Sequence, residues 1–496
     1  MSQSSMIIKN CYYLWQGSPA VSTGADGSAD GDRKSPAGPG RPGALRGVDI
    51  LIEGQRISAV GKNLEVPPGA EVIDAGDCVV MPGLVNTHHH FYQTLTRNLP
   101  AVQNAKLFTW LVYLYDVWKY LDRDAIYWST ALATAELLKT GCTLTTDHHY
   151  LYPRSVDDDI MVLQFQAAEA TGIRFSPTRG SMSRSKKDGG LPPDSVVQTE
   201  DEIMDDSIRV IRDFHDPSDV SMRKVVLAPC SPFSVSEELM SASAALAREH
   251  GVLLHTHLAE TEDENTYCLR EYGVRPLEMM ARDDFLGPDV WFAHGIHFTD
   301  EEMRVLQETG TKITHCPTSN MRLGSGICRV PEMRDMGIPV ALGVDGSASN
   351  DSSDMLGELR NALMLQRVTK GASALTLEDV LDMGSIQGAS LLGYNSIGRI
   401  EPGWAADIAM FSIERMEYTG ALSDPLAAIV FSGYNHEAKH TVVNGVQVVK
   451  NGRLCGPGAA PGGSSGPVGA MLVDEDEIRH KAGEAAMRMY RKAGVL

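Results

Sequence analysis

Two histidines in this sequence have a spacing that suits a metal ion. His88 and His90 stand in the segment NTHHHF, directly after the apolar run VVMPGLV. In an extended strand alternate side chains project from the same face, so His88 and His90 share a face while His89 points away. Two imidazoles on one face supply half of the donors of a zinc site. Taken alone, such a pair is equally compatible with a structural role.

Further candidate ligands and acid–base groups stand at the ends of three later apolar runs, in the segments HTHLAET, AHG and VDG. They are His255, His257, Glu260, His294 and Asp345. A catalytic zinc ion takes nitrogen or oxygen donors and keeps one position open for water, a requirement that three imidazoles and one carboxylate meet. Such a zinc ion lowers the pKa of water towards 7, and a nearby carboxylate serves as general base. The set therefore predicts metal-assisted hydrolysis.

These residues must be brought together by the elements that carry them. From Val79 to Gly346 short apolar runs alternate with helical stretches, which is the pattern of a parallel sheet. Eight such units predict an α/β fold with a (β/α)8 TIM-like barrel, in which catalytic groups lie at the C-terminal ends of the strands. The predicted strands cover residues 79–86, 142–147, 172–178, 224–230, 251–257, 290–295, 311–316 and 338–346.

The N- and C-terminal segments are predicted to form a small β-sandwich domain beside the barrel. Strand-like segments lie at 6–16 and 46–60, and they recur after residue 393 with Asn-Gly turns. We predict residues 1–80 and 394–455 as this domain, with a flexible Gly/Ser/Pro-rich insertion at 17–43. Residues 81–393 form the predicted catalytic barrel, and residues 456–496 form a predicted linker and C-terminal helix.

Composition restricts the partners of this chain. Its 44 Lys+Arg residues against 64 Asp+Glu residues give a formal net charge of -20, which repels phosphate backbones and anionic lipids. We therefore expect a small-molecule substrate, with neither nucleic acid nor membrane as partner. The eight cysteines form no C-x-x-C pair, and neither a secretory leader nor an apolar run of membrane-spanning length is present. A cytoplasmic enzyme with reduced thiols is expected.

Several long strings of residues resemble a known family. They include NTHHHFYQTLTR (86–97), DHHYLYP (147–153), LAPCSPFSVS (227–236), HTHLAET (255–261), HCPTSNMRLGSGI (315–327) and LGVDGSASND (342–351). On these strings the chain is identified as a member of the amidohydrolase superfamily, within its metal-dependent aminohydrolase branch of purine, pterin and triazine deaminases. Within that branch it is most similar to the 8-oxoguanine deaminases.

The resemblance implies roles for the candidate residues. It implies that one zinc ion is bound, with iron or another divalent metal as the alternative. The residues at the matching positions, which would bind it, are His88, His90, His257 and Asp345. Glu260 and His294, together with Asp345, are then the catalytic residues. His255 is not a ligand and is expected to make hydrogen bonds deeper in the core. Because Cys230 stands where two-metal members carry a lysine, a single metal ion is expected.

The resemblance also implies a reaction and a pocket. The reaction is hydrolytic deamination of 8-oxoguanine to urate and ammonia, by attack of water on the ring carbon that bears the amino group. The same metal set also serves deaminases of pterins, isocytosine or guanine and s-triazine hydrolases, and inactive relatives exist. Predicted substrate-binding residues are Gln93, Trp110, His149, Tyr152 and Cys230, for which ordinary packing is the alternative. A homo-oligomer, specifically a dimer, is expected.

Overall fold

The computed structural model describes residues 5–18, 44–156, 159–456 and 474–496. Most of the predicted insertion and most of the predicted linker lie outside these residues. The strands are β1 (Ser5–Cys11), β2 (Tyr13–Trp15), β3 (Ala44–Leu45), β4 (Val48–Glu53), β5 (Arg56–Gly61), β6 (Glu71–Asp74), β7 (Cys78–Pro82), β8 (Leu84–Asn86), β9 (Cys142–Thr145), β10 (His148–His149), β11 (Arg174–Phe175), β12 (Thr178–Ser181), β13 (Val226–Pro229), β14 (Leu253–Leu258), β15 (Val290–His294), β16 (Lys312–His315), β17 (Val340–Leu342), β18 (Ile408–Ser412), β19 (His440–Val443), β20 (Val446–Lys450) and β21 (Arg453–Leu454).

The helices surround the parallel strands and follow them along the chain. They are α1 (Leu107–Trp118), α2 (Arg123–Lys139), α3 (Ile160–Thr171), α4 (Glu200–Phe214), α5 (Glu237–His250), α6 (Glu262–Glu271), α7 (Pro276–Arg282), α8 (Asp300–Thr309), α9 (Pro317–Leu323), α10 (Val330–Asp335), α11 (Ser347–Asn350), α12 (Met355–Lys370), α13 (Leu377–Met383), α14 (Ile386–Leu391), α15 (Pro425–Phe431) and α16 (Glu475–Ala493). A 3-10 helix at Phe91–Thr96 continues the chain after β8.

The predicted barrel is confirmed. Its eight positions are filled in chain order by β8, β9 with β10, β11 with β12, and then β13 to β17. Backbone hydrogen bonds close the ring between the first and eighth positions: Thr87 N–H donates to the Leu342 carbonyl and Asp345 N–H to the His88 carbonyl, both at 3.0 Å. The closed ring brings the C-terminal ends of all eight strands to one face, where the site of such a barrel lies.

Local signals in the sequence define the helices that pack on the barrel. Helix α8 begins with a capping box, in which Thr299 and Glu302 exchange side-chain to backbone hydrogen bonds. It ends at Gly310, which has the left-handed conformation (φ 72°) that glycine adopts without steric penalty. Strands β13 to β17 are almost entirely buried, as expected for parallel strands covered by helices.

The small β-sandwich is also confirmed. One sheet has the strand order β5-β4-β1-β6, and the second has the order β21-β20-β19-β18-β7-β2-β3. Buried aliphatic side chains from both sheets form one shared core, for example Ile8 and Ile50 from the first sheet and Val80, Ile408 and Val442 from the second. Segments from both ends of the chain therefore build one unit beside the barrel.

Two further findings concern the helices and the cysteines. None of the helices in the described ranges combines the length and the apolarity needed to cross a lipid bilayer. All eight cysteines are free thiols.

A buried ion pair joins the barrel to the small sandwich. Arg174 on β11 donates to Asp407, next to β18, through Nε (3.1 Å) and Nη2 (2.9 Å). The same guanidinium contacts Asn444 Oδ1 at 3.0 Å, and the side chains of Arg174 and Asp407 are completely buried. An arginine and a carboxylate that lie in one plane and share two hydrogen bonds form the strongest version of this ion pair.

Replacing Arg174 by methionine is expected to destabilise the protein by about 3–5 kcal/mol, because it leaves the Asp407 carboxylate buried without a counter-charge. The measurement is the midpoint of urea unfolding, followed by circular dichroism. The control is Arg223→Met, which removes a half-exposed arginine from a 3.6 Å pair with Glu169 and should shift the midpoint little. Equal shifts for the two variants would contradict this role of Arg174.

Candidate metal centre and active site

The predicted ligands and acid–base residues converge at the C-terminal face of the barrel. His90 Nε2 lies 3.1 Å from His257 Nε2 and 3.3 Å from Asp345 Oδ1. His88 Nε2 lies 3.4 Å from the same Asp345 oxygen. These four residues are buried and come from the ends of β8, β14 and β17. The structure therefore brings together three nitrogens and one carboxylate oxygen that are distant in the sequence.

Hydrogen bonds at the far side of the rings fix the tautomers of two histidines. His90 Nδ1 lies 2.8 Å from the His148 carbonyl, and His257 Nδ1 lies 2.7 Å from the Cys230 carbonyl. A carbonyl oxygen only accepts hydrogen bonds, so both Nδ1 atoms carry the proton and both Nε2 atoms present lone pairs. Burial also lowers the pKa of His257 well below its usual value, which keeps the ring neutral. Two lone pairs face each other across 3.1 Å.

His88 is oriented by a chain of two imidazoles. His255 Nδ1 lies 2.9 Å from the Trp291 carbonyl, so His255 donates there and its Nε2 is an acceptor. His88 Nδ1 lies 2.9 Å from that acceptor and donates to it. The Nε2 atom of His88 is left with a lone pair, is buried, and has no hydrogen-bond partner within the described residues.

The donor set fits a divalent metal ion. Zinc–nitrogen bonds are about 2.0–2.1 Å long, so two donors at angles of about 90–110° around one ion lie about 3.0–3.4 Å apart. The distance between the two Nε2 atoms of His90 and His257, 3.1 Å, falls in this range. The distances from Asp345 Oδ1 to the Nε2 atoms of His90 and His88, 3.3 and 3.4 Å, do so too. Lone pairs held this close repel each other unless a cation lies between them. Orienting hydrogen bonds to the distal nitrogens are also what metal-binding histidines require.

Glu260 and His294 lie beside this donor set. His294 Nε2 is 3.6 Å from Glu260 Oε2 and 4.0 Å from Asp345 Oδ2. Burial opposes protonation of His294, but the negative charges of Glu260 and Asp345 outweigh it and raise its pKa above the usual value. For Glu260 the effect of burial has the opposite sign. Burial raises the pKa of its carboxyl group, although the charge of His294 opposes the rise. The pair can therefore share a proton next to the donor set.

Three non-glycine residues at this face have left-handed backbone conformations. They are Ala259 (φ 54°), His294 (φ 74°) and Asp345 (φ 65°), at the ends of β14, β15 and just after β17. A side chain in this region costs roughly 1–2 kcal/mol, so the surrounding contacts must hold each one in place. Observed strain of this kind clusters at functional sites, and here it redirects the chain where Glu260, His294 and Asp345 leave their strands.

The donor set opens into a cavity at this face of the barrel. One face of helix α1 forms its roof, with Leu107, Trp110, Leu111 and Tyr115 at a helical spacing. Tyr150, Phe233 and Leu323 add further apolar wall, and the described residues around the cavity include no lysine or arginine. An aromatic wall without lysine or arginine suits a flat ligand that carries no anionic group.

Three of the predicted substrate-binding residues line this cavity: Gln93, Trp110 and Cys230. The Oε1 atom of Gln93 is buried and has no hydrogen-bond partner in the described part of the chain. Its amide packs directly over Gly346, where a Cβ atom would stand only 1.9 Å from that Oε1. Glycine at position 346 therefore allows Gln93 to hold an unpaired acceptor at the cavity wall.

The other two predicted substrate-binding residues, His149 and Tyr152, lie outside the cavity. His149 Nε2 bonds to the Leu151 carbonyl at 2.7 Å, and the Tyr152 ring packs under the Arg179 guanidinium, 4.0 Å from its centroid. The structure differs from the prediction because β10 covers only His148–His149, so the residues after it do not keep the alternation of a regular strand. Tyr150, the residue between them, is the one that reaches the cavity.

Sequence reasoning missed several residues that support the site. The Oδ1 atom of Asn320 accepts from His294 Nδ1 at 3.0 Å. Ser325 Oγ lies 3.4 Å from Glu260 Oε1. Tyr115 and Tyr150 contribute to the cavity wall. A helical spacing of apolar residues in α1 was the available signal for the roof. The contacts of Asn320, in α9, and of Ser325, in the loop after α9, left no signal in the sequence.

Helix α16 packs against the elements that shape the cavity. Ala482, Ala485 and Met489 are buried in one hydrophobic cluster with the roof residues Trp110 and Leu111. The hydroxyl group of Tyr490 donates to the Leu95 carbonyl at 2.5 Å, within the 3-10 helix that also carries Gln93. The C-terminal helix therefore supports both the roof and the segment with Gln93.

Comparison with known proteins agrees with this geometry. The family model described as the amidohydrolase family matches residues 79–448 of the chain. An 8-oxoguanine deaminase from Pseudomonas aeruginosa is 46% identical over 408 residues, which cover 82% of this chain and 90% of that protein. An isoxanthopterin deaminase from an unknown prokaryotic organism is 35% identical over 450 residues, covering 87% and 89%.

A solved structure shares the whole architecture. The atrazine chlorohydrolase from Arthrobacter aurescens TC1, complexed with zinc, aligns with a TM-score of 0.84 at 27% identity. The alignment covers 97% of this chain and 100% of that protein. Barrel and sandwich are therefore both found in the relative.

Proposed function

The chain belongs to the amidohydrolase family and is a hydrolytic deaminase acting on C–N bonds, and on that premise we propose that it is a zinc enzyme that converts 8-oxoguanine and water to urate and ammonia. One observation carries the proposal. Three imidazoles with fixed tautomers and the Asp345 carboxylate stand next to the Glu260–His294 pair, at one end of an aromatic cavity without lysine or arginine among the described residues.

The residues that would hold a single zinc ion are His88, His90, His257 and Asp345. A zinc ion in such a site acts as a Lewis acid that lowers the pKa of water. Cys230, at the end of β13, has a neutral thiol because burial raises its pKa to about 12. It supplies no bridging group of the kind that a second metal ion needs, which supports one ion.

Glu260 is the proposed proton carrier. Its carboxylate accepts a proton from the attacking water and later delivers it to the departing amine. The raised pKa of Glu260, caused by burial, suits a group that must hold the proton between these two steps. Because one carboxylate serves both proton transfers, no second acid is required in the cavity.

His294 is the proposed partner that orients the attacking water. Its Nδ1–H is directed at Asn320 Oδ1, which leaves Nε2 facing Glu260 and Asp345. With a raised pKa, His294 can carry a second N–H at Nε2. That N–H can donate a hydrogen bond to the oxygen of the attacking water and orient it towards the ring carbon.

The cavity supports a neutral, oxygen-rich heterocycle as substrate. The unpaired Oε1 of Gln93 can accept a hydrogen bond from a ring N–H, and Trp110 and Tyr150 can stack on the ring faces. Without lysine or arginine among its described residues, the wall gives no site for a phosphate group. The relative with 46% identity is named for 8-oxoguanine, which fits this chemistry.

A pterin is the alternative substrate. Pterins present a similar amide-like edge, and the isoxanthopterin deaminase covers 87% of the chain. Deamination of guanine or isocytosine and hydrolysis of s-triazines need the same metal-binding residues, so the pocket alone separates them. The predicted dimer stays a prediction.

The test is an ammonia-release assay of the zinc-loaded protein against 8-oxoguanine, guanine, isoxanthopterin, isocytosine and amino-triazines. We expect the highest kcat/KM for 8-oxoguanine. A higher value for another compound would replace the proposed substrate but leave the deaminase chemistry intact. Absence of ammonia from every compound, with zinc bound, would overturn the proposed reaction.

A further inference from the structure

Glu264 is a buried carboxylate with an unusual pair of partners. It lies in the first turn of α6, and 1% of its surface is exposed. Its Oε1 accepts from the Ala259 N–H at 3.1 Å, and its Oε2 accepts from the Glu260 N–H at 2.9 Å. Within the described residues it forms no ion pair. Both oxygens are thus committed to two consecutive peptide groups at the end of β14.

These two peptide groups direct the proposed proton carrier. Ala259 has the left-handed conformation described above, and its carbonyl accepts from Ile296 N–H (2.9 Å) and His297 N–H (3.0 Å) in the segment after β15. The peptide group between Ala259 and Glu260 is therefore held at its carbonyl by that segment and at its N–H by Glu264. The two consecutive N–H groups converge on the one carboxyl group of Glu264, whose pKa burial raises to about 8 although these hydrogen bonds oppose the rise.

Few polar contacts within the described residues orient the Glu260 side chain itself. Its nearest side-chain contacts are Ser325 Oγ at 3.4 Å and His294 Nε2 at 3.6 Å, both longer than a normal strong hydrogen bond. The direction of its carboxylate therefore depends mainly on the backbone from which it projects. A small rotation of the 259–260 peptide would displace the carboxylate towards or away from the ring carbon.

We infer that Glu264 is a positioning residue, which aims the Glu260 carboxylate at the reacting atoms by holding the two peptide groups before it. This rests on the proposed function in one respect, the role of Glu260 as proton carrier. Glu264 lines neither the cavity nor the donor set. Its effect should consequently be on the chemical step rather than on substrate or metal binding.

The test is Glu264→Gln, which keeps the shape but turns an NH2 group towards a backbone N–H. Misplacement of a catalytic group by about 1 Å costs on the order of 100-fold, so we expect kcat to fall by about 10- to 100-fold. KM and zinc content should stay at the wild-type values. The matched control is Asp263→Asn, an exposed residue of the same turn, which should retain wild-type kcat.

A double-mutant cycle separates positioning from general destabilisation. In the Glu260→Gln background the Glu264→Gln change should have no further effect on the residual rate, because the group that it aims is already disabled. A full additional loss there, or wild-type kcat in the single variant, would overturn the inference. If Glu264→Gln does not fold, Glu264→Asp, which keeps the carboxylate but shortens its reach, enters the same cycle.

The outcomes distinguish this inference from the proposed function. If Glu260→Gln retains full turnover, the proposed role of Glu260 is wrong and the inference fails with it. If Glu260→Gln is inactive while Glu264→Gln has wild-type kcat, only the inference about Glu264 is wrong.

Discussion

Glu260→Gln is expected to lower turnover by at least ~100-fold, the usual scale of general acid–base catalysis, while the protein keeps its metal. Glutamine has the size of glutamate but cannot accept and release a proton at neutral pH. Because Glu260 is outside the four-residue donor set, its amide should leave that set unchanged. The measurement combines steady-state kinetics on the best substrate with metal analysis of the purified variant.

The control for this prediction is Glu262→Gln, which neutralises an exposed glutamate two residues away. It should turn over substrate like the wild type. Near-normal turnover of the Glu260→Gln protein would rule out Glu260 as the proton carrier. Loss of metal from that variant would instead mean that Glu260 contributes to metal binding.

His257→Ala is expected to abolish metal binding, whereas His255→Ala should largely retain it. Both residues lie on β14 and both side chains are buried, so each substitution removes one buried imidazole. Only His257 presents a free lone pair to the donor set, because the Nε2 of His255 accepts from His88. Metal per chain, measured by atomic emission after dialysis, distinguishes the two variants.

Some weakening of metal affinity is expected even for His255→Ala. The substitution leaves the Nδ1–H of His88 without its acceptor, and loss of such an orienting partner typically costs about 10- to 100-fold in affinity. The bound metal should return when the metal concentration is raised. Equal loss of metal from both variants, without recovery at high concentration, would refute the assignment of His257 as the ligand on β14.

The barrel and the pairing of His88 with His90 were predictable from local rules, whereas the choice of His257 over His255 as a ligand came from the resemblance to the family. Alternation along one strand placed His88 and His90 on the same face, and the buried runs gave the order of the strands. His255 illustrates the same rule, because it faces inwards like His257 but one level deeper. Its contacts with His88 and Trp291 are those of a core residue.

The substrate wall was less predictable, for a physical reason. The second barrel strand is interrupted between β9 and β10, so counting alternate residues from Cys142 does not give the direction of His149, Tyr150 or Tyr152. Tyr150 reaches the cavity, and the two predicted residues do not. A break in strand geometry cannot be located from composition alone.

Glu264 shows a second limit of sequence reasoning. An acidic residue in the first turn of a helix is ordinarily explained by the helix dipole. Its hydrogen bonds run instead to the preceding strand end, which depends on the turn between β14 and α6. Only the folded chain reveals that the carboxylate serves the residue four positions before it.

The docking of α16 on α1 has a consequence for biosynthesis. Helix α16 follows the barrel and the sandwich along the chain, so the ribosome makes it after every residue of the donor set. Until α16 has been made, the roof residues Trp110 and Leu111 lack the partners Ala482, Ala485 and Met489. A nascent chain thus carries every residue of its donor set before the roof of its cavity has all of its packing partners.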